Sequence, residues 1–275
     1  MTASVTGHLR GASAASLEAV LAAVDASSTD AAAEIGEQLF GVVGTLDATP
    51  ALRRVLTDPS TESAAKASLA SSIFGQVLSA ATLAVVDAAV AGRWSAGRDL
   101  ADGLEVAGVV AQVAAADAAG VLDAVEGELF EVARVVAETP QLRSALSDSA
   151  APAAAKADLI GSLLDGKAQP VTAAIVRQAA RARRASFERT LEGFADLVAA
   201  RRGRLLAQVR TANPLAKADH DRLAAALTAR YGRPVQLNVV IDSSVIGGLS
   251  VSVADDVIDG TMSSRLEAAR RRLAG

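Results

Sequence analysis

The chain has 275 residues, 51% of them apolar but only 3% aromatic, with a formal net charge of -4 and no cysteine. This length holds one large domain or two to three small ones, with a core built from Ala, Val and Leu. Without cysteine there are no disulfides, thiolate nucleophiles or cysteine-ligated metals, and the interspersed charge offers no single-sign field to recruit nucleic acid or an anionic membrane surface.

From Ser13 to about Arg201 the apolar residues recur at helical spacing, as in Leu17, Val20, Leu21 and Val24, then Ile35, Leu39, Val42, Val43 and Leu46. Breaks are predicted at 27–30, Thr49-Pro50, Asp58-Pro59-Ser60, Gly92, Thr139-Pro140, Ala151-Pro152 and Gln169-Pro170. There proline fixes φ and lacks an N–H, or Ser, Thr and Asp can cap a new helix. Near residue 203 the pattern changes. Residues 204–211 and 235–241 alternate and are rich in β-branched side chains, as strands are. Between them 217–231 reads as a helix with Leu223, Leu227 and Tyr231 on one face, stopped by Gly232 and Pro234. Two short apolar runs, 249–253 and Val257-Ile258, flank Ala254-Asp255-Asp256 as a tight hairpin, and Asp259-Gly260-Thr261 opens a last helix through Leu266 and Leu273.

Sliding the chain 90 positions along itself sets Thr139-Pro140 over Thr49-Pro50 and yields 15 identities over the 35 positions from 39 to 73. Leu39-Phe40, Leu52-Arg53, Leu56, Asp58, Lys66, Leu69 and Ser72 return as Leu129-Phe130, Leu142-Arg143, Leu146, Asp148, Lys156, Leu159 and Ser162. Alanines account for only three of the matches, so two copies of one helical unit are expected. Residues 97–117 then end the first copy and begin the second, as one long shared helix. The expected fold class is mainly α with a small α+β C-terminal domain. Two tandem helical bundles, 1–102 and 103–202, precede a strand-helix-strand-hairpin-helix unit at 203–275.

Candidate chemistry is sparse. His8 and His220 are the only histidines, far apart and without metal-ligand spacing. The run Gly161 to Lys167 (GSLLDGK) has the glycine and lysine spacing of a P-loop, but Ala168 stands where a hydroxyl should bind Mg²⁺, no strand precedes it, and Pro170 follows. An inter-helix loop is expected instead. Gly247-Gly248 suits a bulge or chain crossing rather than a phosphate cradle. The arginines at 177, 181, 183, 184, 189, 201, 202 and 204 are either a solvated face or a docking surface for an acidic helix. Asp255, Asp256 and Asp259 are turn and cap residues. The longest apolar runs, 106–116 and 83–91, fall short of the ~20 residues of a membrane span, and residues 1–10 lack the apolar core of a secretory signal. A non-enzymatic chain without cofactor or metal is expected, remaining where it is made.

Residues 241–266 (IDSSVIGGLSVSVADDVIDGTMSSRL) resemble the C-terminal signature of the ATP synthase delta subunit, called the oligomycin-sensitivity-conferral protein in mitochondria. The signature falls on Asp242, Ile246, Gly247, Gly248, Asp259, Gly260 and Arg265 followed by Leu266, with Ala254 and Thr261 departing from the usual turn glycine and serine. A second stretch, Arg202-Gly203 through Val209, Thr211-Ala212 and Pro214-Leu215, resembles the family's strand leaving the helical domain. The resemblance covers residues from about 103 onward and leaves 1–102 as an extra bundle. It implies a non-catalytic stator connector of the F-type proton-translocating synthase, one copy per complex, peripheral at the cytoplasmic face of the cell membrane. Its implied partners are the N-terminal helix of an alpha subunit and the C-terminal helix of stalk subunit b. The family's alpha-helix groove projects onto Val106, Val109, Val110 and Val113 with Ile175, Val176 and Ala179, and the stalk side onto Val257, Ile258, Leu266 and Leu273. The rival reading is a helical-repeat adaptor for an unrelated partner, which accounts for the repeat but not for the C-terminal signature.

Overall fold

The computed structural model describes residues 9–181, 183–201, 205–212, 215–232, 235–241, 247–253 and 256–259. By contacts the chain divides into two compact units, Met1–Arg201 and Arg202–Gly275. The first is helical: α1 (Ala12–Asp25), α2 (Ala32–Ala48), α3 (Pro50–Leu56), α4 (Ser63–Phe74), α5 (Ala80–Ala91), α6 (Gly97–Ala118), α7 (Leu122–Glu138), α8 (Pro140–Ser147), α9 (Ala153–Leu164), α10 (Pro170–Ala180) and α11 (Phe187–Arg201). Every predicted break separates two of these. Pro50, Pro140 and Pro170 each occupy the first turn of their helix, where the missing N–H costs no bond. Ser79 caps α5 by accepting the Thr82 N–H at 3.3 Å.

Side-chain burial sorts the helical unit into two cores. One gathers Val20, Ile35, Leu39, Leu46, Phe74, Val85 and Trp94; the other gathers Val125, Leu129, Ile160, Ile175, Leu191 and Phe194. Helix α6 belongs to both, turning Leu100, Leu104, Ala107 and Ala111 to the first core and Val106, Val109, Val113 and Ala116 to the second. From Asp99 to Ala116 none of its residues is exposed, and its acids Asp99 and Asp102 are buried with it, Glu105 mostly so. With so few aromatics the helices approach closely. Gly103 lies under Trp94 and Gly108 under Phe40, where a Cβ would come within 2.6 Å of either ring.

Helix bounds repeat at the interval of the sequence match. Ala32–Ala48 recurs as Leu122–Glu138, and Ser63–Phe74 as Ala153–Leu164. Gln38 Oε1 accepts the Ser79 N–H at 2.9 Å, and 90 positions on Glu128 Oε2 accepts the Gln169 N–H at 2.9 Å. Arg53 donates to the Leu46 carbonyl at 3.1 Å, and Arg143 donates at 3.4 Å to the Ala137 carbonyl, one position beyond the match.

The second unit contains β1 (Leu205–Thr211), α12 (Lys217–Tyr231), β2 (Val235–Ile241), β3 (Leu249–Val253) and β4 (Asp256–Asp259) in a sheet of order β2-β1-β3-β4. β1 and β2 are parallel, which requires a crossover, and α12 supplies it. β3 runs antiparallel to both β1 and β4. Ala207, Val209, Val251, Val253, Leu237 and Leu227 form the core. Gly232 ends α12 with φ 67, the left-handed cap that glycine adopts without strain. Asp256, assigned to the turn by sequence, pairs with Val253 and opens β4. The expected final helix lies outside the described residues.

Candidate partner-binding surfaces

The residues projected as an alpha-subunit groove are brought together, and they are core. Val106, Val109, Val113, Ile175, Val176 and Ala179 are all at or below 2% exposure in the second core, while Val110 is half-buried between the two cores. Periodicity finds such a stripe but cannot tell a packed face from an open one. The outer side of this wall carries α2. Phe40 sits on Gly108 and joins the second core, and Gln112 Nε2 donates to the Ala33 carbonyl at 3.0 Å across Gly36.

At the centre of the arginine run Arg183 is neither solvated nor open to an outside acid, while Arg184 stays partly exposed. Arg183, with 10% side-chain exposure, meets Asp102 at 2.8 Å, Glu105 at 2.9 Å and Asp47 at 3.3 Å. Arg184 binds Asp102 through Nε and Asp99 at 3.0 Å, while Arg201 reaches Asp117 at 2.9 Å. The Arg183 and Arg184 pairs tie the loop after α10 to α6, and through Asp47 to α2, while Arg201 ties the end of α11 to α6. Burial pushes the Glu105 carboxyl above its ordinary range, opposed by Arg183 and by the Gln178 amide. Burial works against the Arg183 charge, but Glu105, Asp47 and Asp102 outweigh it and hold the guanidinium firmly protonated. The sequence held the charges but not the pairing, since partners lie 78 to 136 positions apart.

Surfaces that sequence reading missed lie on α7 and α9. Phe130 is 58% exposed, and Val135 and Leu163 flank a groove of about 240 Å³ floored by Val132, Val136, Leu142 and Ile160. Leu164, which lines the groove, occupies the position that buried Phe74 fills 90 residues earlier. Phe130 was visible in the repeat as a rare aromatic, but its exposure was not.

Of the residues projected onto the stalk side, Val257 pairs with Ser252 and Ile258 with Val251 in β4. Leu266 and Leu273 lie outside the described residues, as do Asp242, Ile246, Gly260 and Arg265 of the signature. Gly247 and Gly248 take φ 67 and 79, a left-handed pair before β3 that explains the glycines. Asp259 pairs with Ser250 at the end of β4. Gly161 to Leu164 is helical rather than loop, and Gly161 packs against Arg177, so that stretch is no phosphate cradle. His220 lies half-exposed beside Asp221. Among the described residues no cluster of His, Cys, Asp or Glu fits a metal ion, and no helix is long and apolar enough to cross a membrane.

The family of the ATP synthase delta (OSCP) subunit matches residues 109–273, more than half of the chain. The chain belongs to this family. A relative from Kineococcus radiotolerans is 49% identical over 245 residues, covering 89% of each chain. One from Streptomyces griseus is 45% identical over 267 residues, covering 97% of this chain and 98% of its own, and one from Nocardia farcinica is 44% identical over 265 residues, covering 96% and 98%. All three are named ATP synthase subunit delta. The family match begins at 109, while the relatives from Streptomyces griseus and Nocardia farcinica align over nearly the whole length, so the likeness extends into the N-terminal residues as well. Membership makes this chain a subunit of ATP synthase, a structural component serving ATP synthesis.

Proposed function

We propose that this delta-family chain is the connector of the peripheral stalk, holding an alpha subunit of the catalytic head at one end and stalk subunit b at the other, with no active site of its own. Family membership over nearly the full length carries the reading. A rotary motor makes ATP only if its stator resists torque, and helices bound in apolar grooves dissociate slowly enough to serve. The chain is placed in one copy per complex, peripheral at the cytoplasmic face of the cell membrane, and stalk subunit b is assigned to the C-terminal unit around Val257, Ile258, Leu266 and Leu273.

The helical unit is read as two tandem bundles, 1–102 and 103–202, that share α6. The repeated bounds and the repeated Gln38 and Glu128 bonds support this. In the second bundle the alpha-subunit helix would lie on the wall above Val106, Val109, Val110, Val113, Ile175, Val176 and Ala179, and it would have to displace α2. In the first bundle the matching wall is α1 with α5, where Ala15, Ala19 and Ala22 are exposed. A helix can dock there without displacing any of the described residues, so we assign the alpha-subunit helix to this wall first.

Rebinding of the purified chain to membranes stripped of it, read as recovery of ATP-driven proton pumping, tests the connector role. Pumping should return with the wild type, while ATP hydrolysis by the head proceeds without it. Ala19→Arg, on an exposed helix face, should weaken rebinding at least tenfold. Full rebinding by that variant removes the α1/α5 wall, and no restored coupling by the wild type removes the connector role.

A further inference from the structure

The 90-residue match sets the pair α1 and α5 over the pair α6 and α10, and the two pairs differ in what covers them. On the first pair Ala15, Ala19, Ala22 and Ala84 are exposed. Of their counterparts on the second, Glu105 is mostly buried, and Val109, Gln112 and Ala174 keep 3% exposure or less. Helix α2 supplies the cover with Gly36, Phe40, Gly44 and Asp47, which recur every three or four positions and so share one face. A Cβ on Gly36 would meet the Gln112 side chain at 2.7 Å, and Gln112 Nε2 donates to the Ala33 carbonyl at 3.0 Å. One turn on, Phe40 packs on Gly108. Next, a Cβ on Gly44 would lie 4.0 Å from Arg181 Nη1, and Asp47 meets Arg183 at 3.3 Å. α2 thus reaches from α6 to the C-terminal end of α10.

The cause lies in the helix that both halves use. Gly108 and Gln112, which meet α2, match Glu18 and Ala22, which are exposed on α1. As the last helix of the first half, α6 packs this face on α2. As the first helix of the second half, it would need the same face free to receive a helix from outside, as α1 leaves it free. One face cannot serve both. We propose that α2 is the standing occupant of the α6/α10 groove, an internal plug, so that the helical unit takes up one partner helix, on α1 and α5, and not two. That this partner helix belongs to an alpha subunit rests on the reading above; the closure of the second groove does not.

A synthetic peptide of the alpha subunit's N-terminal segment, titrated into the full chain by calorimetry, counts the grooves open to it. Hydrogen exchange read by mass spectrometry, with and without the peptide, reports whether α2 stays in place. One peptide per chain is expected, bound at least about tenfold more weakly by Ala19→Arg. The amides of residues 36–47 should exchange as slowly as those of α6 and keep that rate when the peptide is bound. Two peptides per chain, or α2 amides that exchange faster once peptide is bound, overturn the plug. Equal binding by the wild type and Ala19→Arg also overturns the proposal, because the peptide then sits elsewhere than on α1 and α5. If no peptide binds, the alpha-subunit reading falls and the exchange alone decides the plug: α2 amides as slow as those of α6 sustain it, and faster ones overturn it.

Discussion

Two arginines show how position sets the worth of a residue. Arg134 bridges Glu131 and Glu138 on the surface of α7, where water screens the pairs, and Arg134→Ala should leave the urea midpoint unmoved. Arg183 is buried among three carboxylates, and Arg183→Met would strand them, at a cost of about 3–5 kcal/mol in the free energy of urea unfolding. A midpoint shift no larger than that of Arg134→Ala would mean the cluster rehydrates easily. Asp87 offers a pH test. Burial raises its pKa from the ordinary 3.8, and its Oδ1 has no hydrogen-bond partner among the described residues. The folded chain thus holds this proton more tightly than the unfolded chain, so the associated stability is full below about 3.8 and is lost as pH rises through the folded value. Asp87→Asn should therefore raise unfolding stability at pH 7 without raising it at pH 3.5, and a loss at pH 7 would show that the carboxylate is stabilising.

At the scale of the element, α6 decides how the helical unit holds together. Its two faces serve two cores, and glycine admits a ring on each: Gly103 beneath Trp94 and Gly108 beneath Phe40. Trp94 is the only tryptophan and donates its indole N–H to the Ala89 carbonyl at 2.8 Å, so its fluorescence reports on one face alone. Gly103→Ala should shift that emission and destabilise by about 1–3 kcal/mol through overpacking. Gly108→Ala should destabilise comparably while leaving the emission in the folded state unchanged. Equal spectral effects from both would contradict the separation of the two faces. That residues 97–117 lie on one long helix was legible in the sequence. Its packing partners were not, since an apolar stripe looks the same whether a neighbour within the chain or another subunit covers it.

For the whole molecule, the division at Arg201 predicts that residues 1–201 fold without the C-terminal unit. Far-UV circular dichroism and a cooperative melt of that fragment would check it, and a non-cooperative melt would count against an independent unit. Truncation to residue 103 should behave differently. It cuts α6 within Gly97–Ala118, removes Leu100, Asp99 and Asp102, and bares Leu104, Ala107 and Ala111. This fragment should self-associate on size exclusion and melt below the full chain. The sequence by itself determined the helix breaks, the strand-helix-strand order after residue 203 and the family signature. Each is written in local signals: proline at a first turn, period-2 alternation, and glycines at positive φ. Tertiary structure alone decided that the valines of α6 and α10 are packed core, that Arg183 finds its acids within the chain, and that Phe40 is covered while Phe130 is open. Those outcomes depend on which surfaces meet across long stretches of chain, and no local pattern records that meeting.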